Sequence, residues 1–336
     1  MVQIHIPTAG ALSTQSTIDR IVEAVLDGFW GHIMDVVADV TGIDVLGFPF
    51  MQRAYLAAIC IAFIGPLVGS FLVHREMAMI GDTLAHSAFA GVAAGLFVNA
   101  TFGVTVPPLL TALVVAAVAA LLVQTLVDYA GAYHDTSLAI VLAGSFAVGS
   151  VLITATDGGI AVGINAYLFG SLATVTRVNA AILLALSLVV GVGVSVAYRP
   201  LVYITFDEVG ARAAGLSVSR YNQLLAVLTA VVVVAAMQIM GVILVAAMLV
   251  VPVAAATSVR GFKRSVAGAV CAGLFSTVTG VTLSYHYDVA AGGTIVLVAI
   301  AVYAAATVGE RARHRVSATG ETVTPPATSD GGAGKE

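Results

Sequence analysis

The sequence predicts an all-α, polytopic transmembrane bundle of eight or nine spans, on the evidence of its composition, its long apolar runs and its basic residues. Of its 336 residues, 60% are hydrophobic and only 10% are charged, and the mean hydropathy is +1.04. A soluble domain carries about 25% charged residues. A soluble chain of this length has too little interior to bury so much apolar surface, so lipid must solvate most of this protein.

The apolar runs are each close to the roughly 20 residues that a helix needs to cross hydrocarbon. Because they lack the period-two alternation of strands, we interpret them as helices, whose backbone groups are satisfied internally in lipid. One run of the pair 221–240 and 241–259 can be a half-helix, which leaves the count at eight or nine. The predicted spans are 54–73, 83–100, 107–128, 137–156, 178–198, 221–240, 241–259, 265–285 and 291–309.

Arginine and lysine orient the bundle, because they concentrate in cytoplasmic loops. They cluster in the 199–220 loop, directly after residue 259 and again after the last span. The C-terminus is therefore expected in the cytoplasm. Nine spans place the N-terminus outside and eight place it inside, and we expect it outside.

The two ends of the chain differ from the 51–310 transmembrane domain. Apolar residues recur at helical spacing over 17–41, with acidic residues interleaved, which predicts an amphipathic helix lying in the membrane interface within an N-terminal extension, 1–50. Residues 311–336 are predicted to form a disordered cytoplasmic tail, because the 316–336 part is rich in Ser, Thr, Pro and Gly.

Asp82 and His86 open an otherwise uncharged span. Four residues apart, they share one helix face. An ionisable side chain at membrane depth is costly and suggests function, and a carboxylate beside an imidazole suits Mn²⁺, Fe²⁺ or Zn²⁺. The structural alternative is that Asp82 caps the helix and His86 donates to a neighbouring carbonyl. The spacing alone leaves both open.

The long cytoplasmic loop contains a short helix in this prediction. Asp207 and Glu208 suit its first turn and Gly215 suits its end, with Ala211 in its Ala-rich middle. Such a helix could dock into a groove on a cytoplasmic partner, or it could simply connect two spans.

Gly241 and Pro252 predict a helix break and a kink inside the membrane. Broken helices at membrane depth usually line a cavity, which Gln238 and the nearby methionines would face. For the methionines, ordinary packing is the alternative. Nearer the C-terminus, His286 and Asp288 suit either a metal site or a solvated outer loop.

The chain is not expected to be an enzyme. The sequence contains no G-x-x-x-x-G-K-[ST] phosphate-binding loop, so it does not hydrolyse ATP by that route. No nucleophile–base pairing is evident, and a net charge of −4 excludes a nucleic-acid footprint.

In this order, these segments resemble the membrane subunit of the metal-transporting ABC importers, the ABC-3 family of zinc, manganese and iron permeases. The resemblance covers about 54–308 and departs from the family pattern at Ser171, where an acidic residue is common, and at Ala290 and Ala291. The matching segments are Gly81–Gly95, Ala166–Gly170, Asp207–Gly215, Met237–Pro252 and Tyr285–Gly292.

The resemblance implies a homodimeric permease in the plasma membrane, with Asp82 and His86 as its intramembrane metal site. It implies that the Asp207–Gly215 helix couples to separate ATPase subunits and that an extracytoplasmic metal-binding lipoprotein delivers the ion. The transported ion would be Mn²⁺ or Zn²⁺, with Fe²⁺ a further option, and no permanently bound cofactor is expected. The alternatives are a permease for a metal chelate (siderophore, haem or cobalamin) and a stand-alone secondary cation transporter, which would lack a coupling loop and show inverted repeats.

Overall fold

All regular secondary structure is helical in the part of the protein that a computed structural model describes, residues 22–42, 44–130, 133–156, 166–171 and 175–320. A wide π-type turn, Ala24–Trp30, leads into the first α-helix. The principal helices are α1 (Gly31–Thr41), α2 (Pro49–His74), α3 (Ile80–Phe102), α4 (Pro108–Ala130), α5 (His134–Thr154), α6 (Arg177–Phe206), α7 (Glu208–Ala213), α8 (Val218–Met240), α9 (Val242–Ala255), α10 (Phe262–Tyr287) and α11 (Ala291–Gly320).

Eight helices of the described ranges are long and apolar enough to cross a membrane: α2 to α6, α8, α10 and α11. The ninth predicted span, 241–259, contains only the 14-residue α9. It is therefore the half-helix that the sequence left open. Helices α2, α3 and α8 form the centre of the bundle, with α8 buried along most of its length.

Helix α9 returns the chain to the side from which α8 started. Helix α8 begins beside the cytoplasmic α7 and ends at Met240, whose carbonyl lies against Gly292 at the start of α11. At the other end of α9, Phe262 packs on Phe71 near the end of α2, with ring centroids 5.1 Å apart. The basic 260–264 turn and the end of α2 are thus on the same side, which the positive-inside rule predicts to be the inner one. On that prediction α2 begins outside, because α9 adds a ninth crossing to the eight long spans.

The break between α8 and α9 depends on Gly241. Its φ of 78° and ψ of 154° belong to a region that is essentially restricted to glycine. A Cβ atom there would collide with the carbonyl oxygen of Leu168. The segment 166–171 covers the break, and the Ser171 amide donates to the Gln238 carbonyl at 3.3 Å, in the last turn of α8, where carbonyls lack a continuing helix.

The N-terminal extension is tied to the outer ends of α2 and α6. The indole of Trp30 donates to the Gln52 carbonyl at 2.7 Å, and the Gln52 amide donates to Asp35 at 2.7 Å. Asp27 and Arg177 form an ion pair at 3.1 Å. A helical segment thus runs over 24–41 as expected, while residues 1–21 lie outside the described part.

The predicted tail begins later than the sequence suggested. Helix α11 continues to Gly320, so the first ten residues of the predicted 311–336 tail are helical. The physical reason is that residues 311–319 contain neither glycine nor proline, and arginine and alanine favour a helix. Residues 321–336 lie outside the described part.

We predict that Gly241→Ala destabilises the folded protein, because it combines backbone strain of about 1–3 kcal/mol with a collision against Leu168. The apparent melting temperature in detergent should fall by at least about 5 °C, measured by size-exclusion chromatography after heating. Gly293→Ala is the control, since a methyl group there meets nothing within 4 Å. Equal melting temperatures for both variants would contradict the assigned role of Gly241.

Candidate functional site

Asp82 and His86 are the two incompletely buried residues of α3 within 80–93, where every other residue is packed against the bundle. The Asp82 carboxylate and the His86 Nε2 are 3.8 Å apart, too far for a direct hydrogen bond. The Asp82 side chain is 44% exposed in the single chain and that of His86 is 23% exposed. The pair therefore opens onto a gap in the packing of this stretch of α3.

The pair lies inside the bundle rather than at its rim. Gly81 lies against Ala246 and Leu249 of α9, and Gly69 of α2 meets the Leu249 backbone. Gly69 is five residues before the end of α2. At about 1.5 Å of rise per residue, Asp82 is roughly 7 Å inside the inner end of α2. An ionised carboxylate at this depth cannot face lipid without a large cost.

Hydroxyl groups and a phenylalanine fix the orientation of α3 against α5. The Ser87 and Ser145 hydroxyls share a hydrogen bond of 2.9 Å, and the Thr83 hydroxyl reaches the Leu138 carbonyl at 3.4 Å. The Phe146 ring packs edge-on against the His86 imidazole, with ring centroids 5.5 Å apart. These contacts hold the imidazole beside Asp82.

The structural alternative for the pair is not observed. The residue at the N-cap of α3 is Met79, and no side chain caps the helix. The His86 Nδ1 atom is buried without a hydrogen-bond partner, so the imidazole does not donate to a neighbouring carbonyl from this atom. The described residues contain no group of three or more His, Cys, Asp and Glu side chains that could hold a metal ion. One chain thus offers two ligands at this site.

The predicted cytoplasmic helix is present as α7. Asp207 is its N-cap and accepts a hydrogen bond from the Gly210 amide at 2.8 Å, while Gly215 has a φ of 84° just beyond its end. Ala211 is fully buried against Ile204 and Val218, which anchors α7 to the ends of α6 and α8.

The side chains that α7 presents to solvent differ from those that the sequence singled out. Glu208 pairs with Arg212 at 2.6 Å and with Arg75 at 3.8 Å, so both predicted acidic residues have partners within this chain. Val209, in contrast, is 80% exposed at the tip of the helix. The sequence did not predict that Val209 is exposed, because only the packing of α7 on its neighbours decides which of its faces is left in contact with solvent.

The other predicted positions are spread over different parts of the fold. Gln238 is 2% exposed in the core of α8, Met237 and Met240 are fully buried beside it, and Pro252 is buried within α9. His286 is exposed near the end of α10, and Asp288 follows it with a φ of 52°. The ion-pair and ring contacts of Asp82 and His86 are with each other and with Phe146, and do not involve these positions.

Two further residues near the site were missed by sequence reasoning. Phe146 is one of many apolar residues in its span, and only the α3–α5 packing places it on His86. The side chain of Arg75 is just 7% exposed although it follows a span directly. Burial lowers the pKa of the Arg75 guanidinium, and the charge of Glu208 partly offsets this effect. The sequence signal that could have identified Arg75 is its position as a basic residue shortly before Gly81 and Asp82.

In the described part of the chain, eight helices suited to span a membrane, a short helix between two of them and an ionisable pair inside the bundle are the features of a multi-pass transport permease. The chain belongs to the ABC 3 transport family, whose sequence profile matches residues 47–310. The N-terminal helix α1 lies before this match. The family assignment confirms the resemblance found in the sequence and the location in the cell membrane.

The chain is similar to named transport proteins over most of its length. It is 33% identical over 268 residues to the manganese transport system membrane protein MntC of Halalkalibacterium halodurans, covering 78% of this chain and 88% of that protein. It is 28% identical over 257 residues to the manganese import system permease protein ScaB of Streptococcus gordonii, covering 76% and 90%. The solved structure of PsaBC from Streptococcus pneumoniae in complex with Fab superposes with a TM-score of 0.70 at 27% identity, covering 80% of this chain and 95% of that one.

We predict that a cysteine at position 82 reacts with a charged, membrane-impermeant thiol reagent, because the gap beside Asp82 must contain water rather than lipid. The measurement is labelling of Asp82→Cys in a Cys60→Ala, Cys271→Ala background. Ala85→Cys serves as the control, since position 85 is fully buried. Protection of both cysteines from the reagent would contradict a hydrated gap.

Proposed function

We propose that this protein is the permease of an ABC importer and moves a divalent transition metal ion, Mn²⁺ or Zn²⁺ with Fe²⁺ a further option, into the cell. The observation that carries the proposal is the Asp82–His86 pair. It combines a hard carboxylate ligand and an imidazole ligand at the two incompletely buried positions of α3 within 80–93. The manganese names of the similar permeases support the same class of substrate.

Two copies of the chain complete the site in this proposal. One chain supplies two ligands, whereas Mn²⁺ and Zn²⁺ take at least four. A second copy related by a two-fold axis would place its own carboxylate and imidazole opposite the first pair. It would also cover the 44% exposed Asp82 side chain, which cannot face hydrocarbon.

The ligand chemistry suits a transporter rather than a storage site. Carboxylate and imidazole accept Mn²⁺, Fe²⁺ and Zn²⁺, and they lack the soft thiolates that favour tight zinc binding. Neither cysteine lies at the site, since Cys60 is in α2 and Cys271 in α10. An ion that pauses here can therefore leave again when the spans move apart.

The partners follow from the two faces of the protein. On the inner side, α7 would dock into cytoplasmic ATPase subunits, which supply the hydrolysis that this chain has no phosphate-binding loop to perform. On the outer side, an extracytoplasmic metal-binding lipoprotein would deliver the ion. The exposed side chain of Val209 would make the coupling contact. The fold of α7 would be stabilised by Asp207, Glu208, Ala211 and Gly215.

We expect Asp82→Asn and His86→Ala each to reduce uptake of radiolabelled Mn²⁺ and Zn²⁺ by at least about 100-fold, since Asp82→Asn removes a negative charge and His86→Ala an imidazole ligand from both halves of the site. The complex should still assemble, because neither side chain makes a direct hydrogen bond that holds the bundle together. Uptake into cells that depend on this transporter is the measurement.

The same chain offers matched controls for these two variants. Asp288→Asn and His286→Ala change the same residue types at exposed positions at the outer end of α10. Both controls should transport like the wild type. Normal uptake of both metals by the Asp82 and His86 variants would refute the site.

We expect Val209→Asp to reduce co-purification of the ATPase subunits about tenfold or more, because it places a charge where an apolar contact is buried on docking. Val259→Asp, at another exposed valine on the inner side, is the matched control. Equal retention of the ATPase by both variants would contradict docking through the tip of α7.

A further inference from the structure

Two adjacent residues at the end of α2 hold both sides of the junction between α6 and α7. The His74 imidazole packs edge-on against Phe206, the last residue of α6, with ring centroids 5.9 Å apart. The Arg75 guanidinium lies 3.8 Å from the Glu208 carboxylate in the first turn of α7. The cytoplasmic helix is thus attached to the end of α2 through neighbouring side chains.

The turn after Arg75 leads directly into the helix that carries Asp82. The Met77 amide donates to the Leu72 carbonyl at 2.9 Å and the Glu76 amide to the Val73 carbonyl at 3.2 Å, which is the Schellman pattern for a helix end. Glu76 has a φ of 57°, which is unusual for a residue other than glycine. This compact turn leaves α3 little freedom to move independently of Arg75.

A polar cavity of about 540 Å³ lies beside the Arg75–Glu208 contact. Its lining includes Arg75, Gln124, Glu208 and Asn222. The Arg75 Nη1, the Gln124 Nε2 and the Asn222 Oδ1 are buried without a hydrogen-bond partner. Arg75 thus contacts α7 on one side and borders this polar cavity on the other.

We infer that Arg75 is a positioning residue that links movement of α7 to movement of α3, and so links ATP hydrolysis to release of the ion held by Asp82 and His86. Its side chain joins the first turn of α7 to the turn between α2 and α3, and Arg75 itself is seven residues before Asp82. Coupling between distant sites needs an element with two arrangements that both sites influence. The turn between α2 and α3 is such an element in this proposal, because it joins Arg75 to the helix that carries Asp82. This inference rests on the proposed function for its ion and its ATPase.

The test uses the full transporter, with its ATPase subunits, in proteoliposomes. Arg75→Gln, Glu208→Gln and the double variant are compared for Mn²⁺ transported per ATP hydrolysed, for Mn²⁺ binding in detergent and for ATPase co-purification. We expect Arg75→Gln to lower the transport ratio about tenfold while binding and co-purification stay at wild-type levels. The double variant should be no worse than Arg75→Gln, since both act through one contact. Arg199→Gln, at an exposed arginine on the inner part of α6, is the matched control.

A second readout needs no metal ion. Met79, 59% exposed at the start of α3, is replaced by cysteine in the Cys60→Ala, Cys271→Ala background, and its labelling rate is measured with and without ATP and vanadate. ATP and vanadate should change the labelling rate of Met79→Cys when Arg75 is present. They should leave that rate unchanged when Arg75→Gln is added.

The outcomes separate this inference from the proposed function. An unchanged transport ratio or an unchanged nucleotide effect in Arg75→Gln overturns the link, as does loss of the ATPase from that variant or an equal defect in Arg199→Gln. If the unaltered transporter imports neither Mn²⁺ nor Zn²⁺, the proposed function is refuted instead. The labelling of position 79 then still decides the role of Arg75.

Discussion

The rest of the structure depends on one constraint, which is that a carboxylate inside a membrane must have a partner other than lipid. Asp82 is placed well inside the inner end of α2 and has His86 as its neighbour at 3.8 Å. Every other residue of α3 from 80 to 93 is buried. Within this stretch of α3 the packing thus leaves one gap, and it is at the two residues with ligand chemistry. In the proposed function, a second copy of the chain and a transported cation would both provide the Asp82 carboxylate with a partner other than lipid.

The break between α8 and α9 is possible because a small residue lets two backbone segments come into contact. Gly241 allows α8 to stop inside the protein, and the segment 166–171 then approaches the broken end closely enough for the Ser171 amide to reach the Gln238 carbonyl. Any residue except proline supplies that amide. The departure from the family pattern at Ser171 therefore leaves this contact intact. Close backbone approach is the usual way in which membrane helices pack tightly, since lipid provides no hydrophobic driving force between them.

Particular residues show how far sequence reasoning reached. The 3.6-residue period predicted that Asp82 and His86 share a face, and capping preferences predicted that Asp207 begins and Gly215 ends a short helix; the structure has both features. The contacts of Arg75 and Phe146 and the exposure of Val209 could not be predicted. Each depends on contacts, or on the lack of them, between helices that are far apart in sequence. The extent of the tail was also misjudged, because helix propensity carried α11 to Gly320 past the end of the apolar run.

The sequence by itself determined that the chain is a bundle of membrane-spanning helices, because hydropathy, run length and backbone satisfaction in lipid leave no other fold. It also determined the identity and spacing of the ionisable pair, which are local properties of one helix. Only the tertiary structure decided that α9 is a half-helix and that Asp82 and His86 are the incompletely buried residues of α3 within 80–93. It alone placed Arg75 between α7 and the turn before α3. These features depend on which helix faces meet, and a one-dimensional pattern does not specify that.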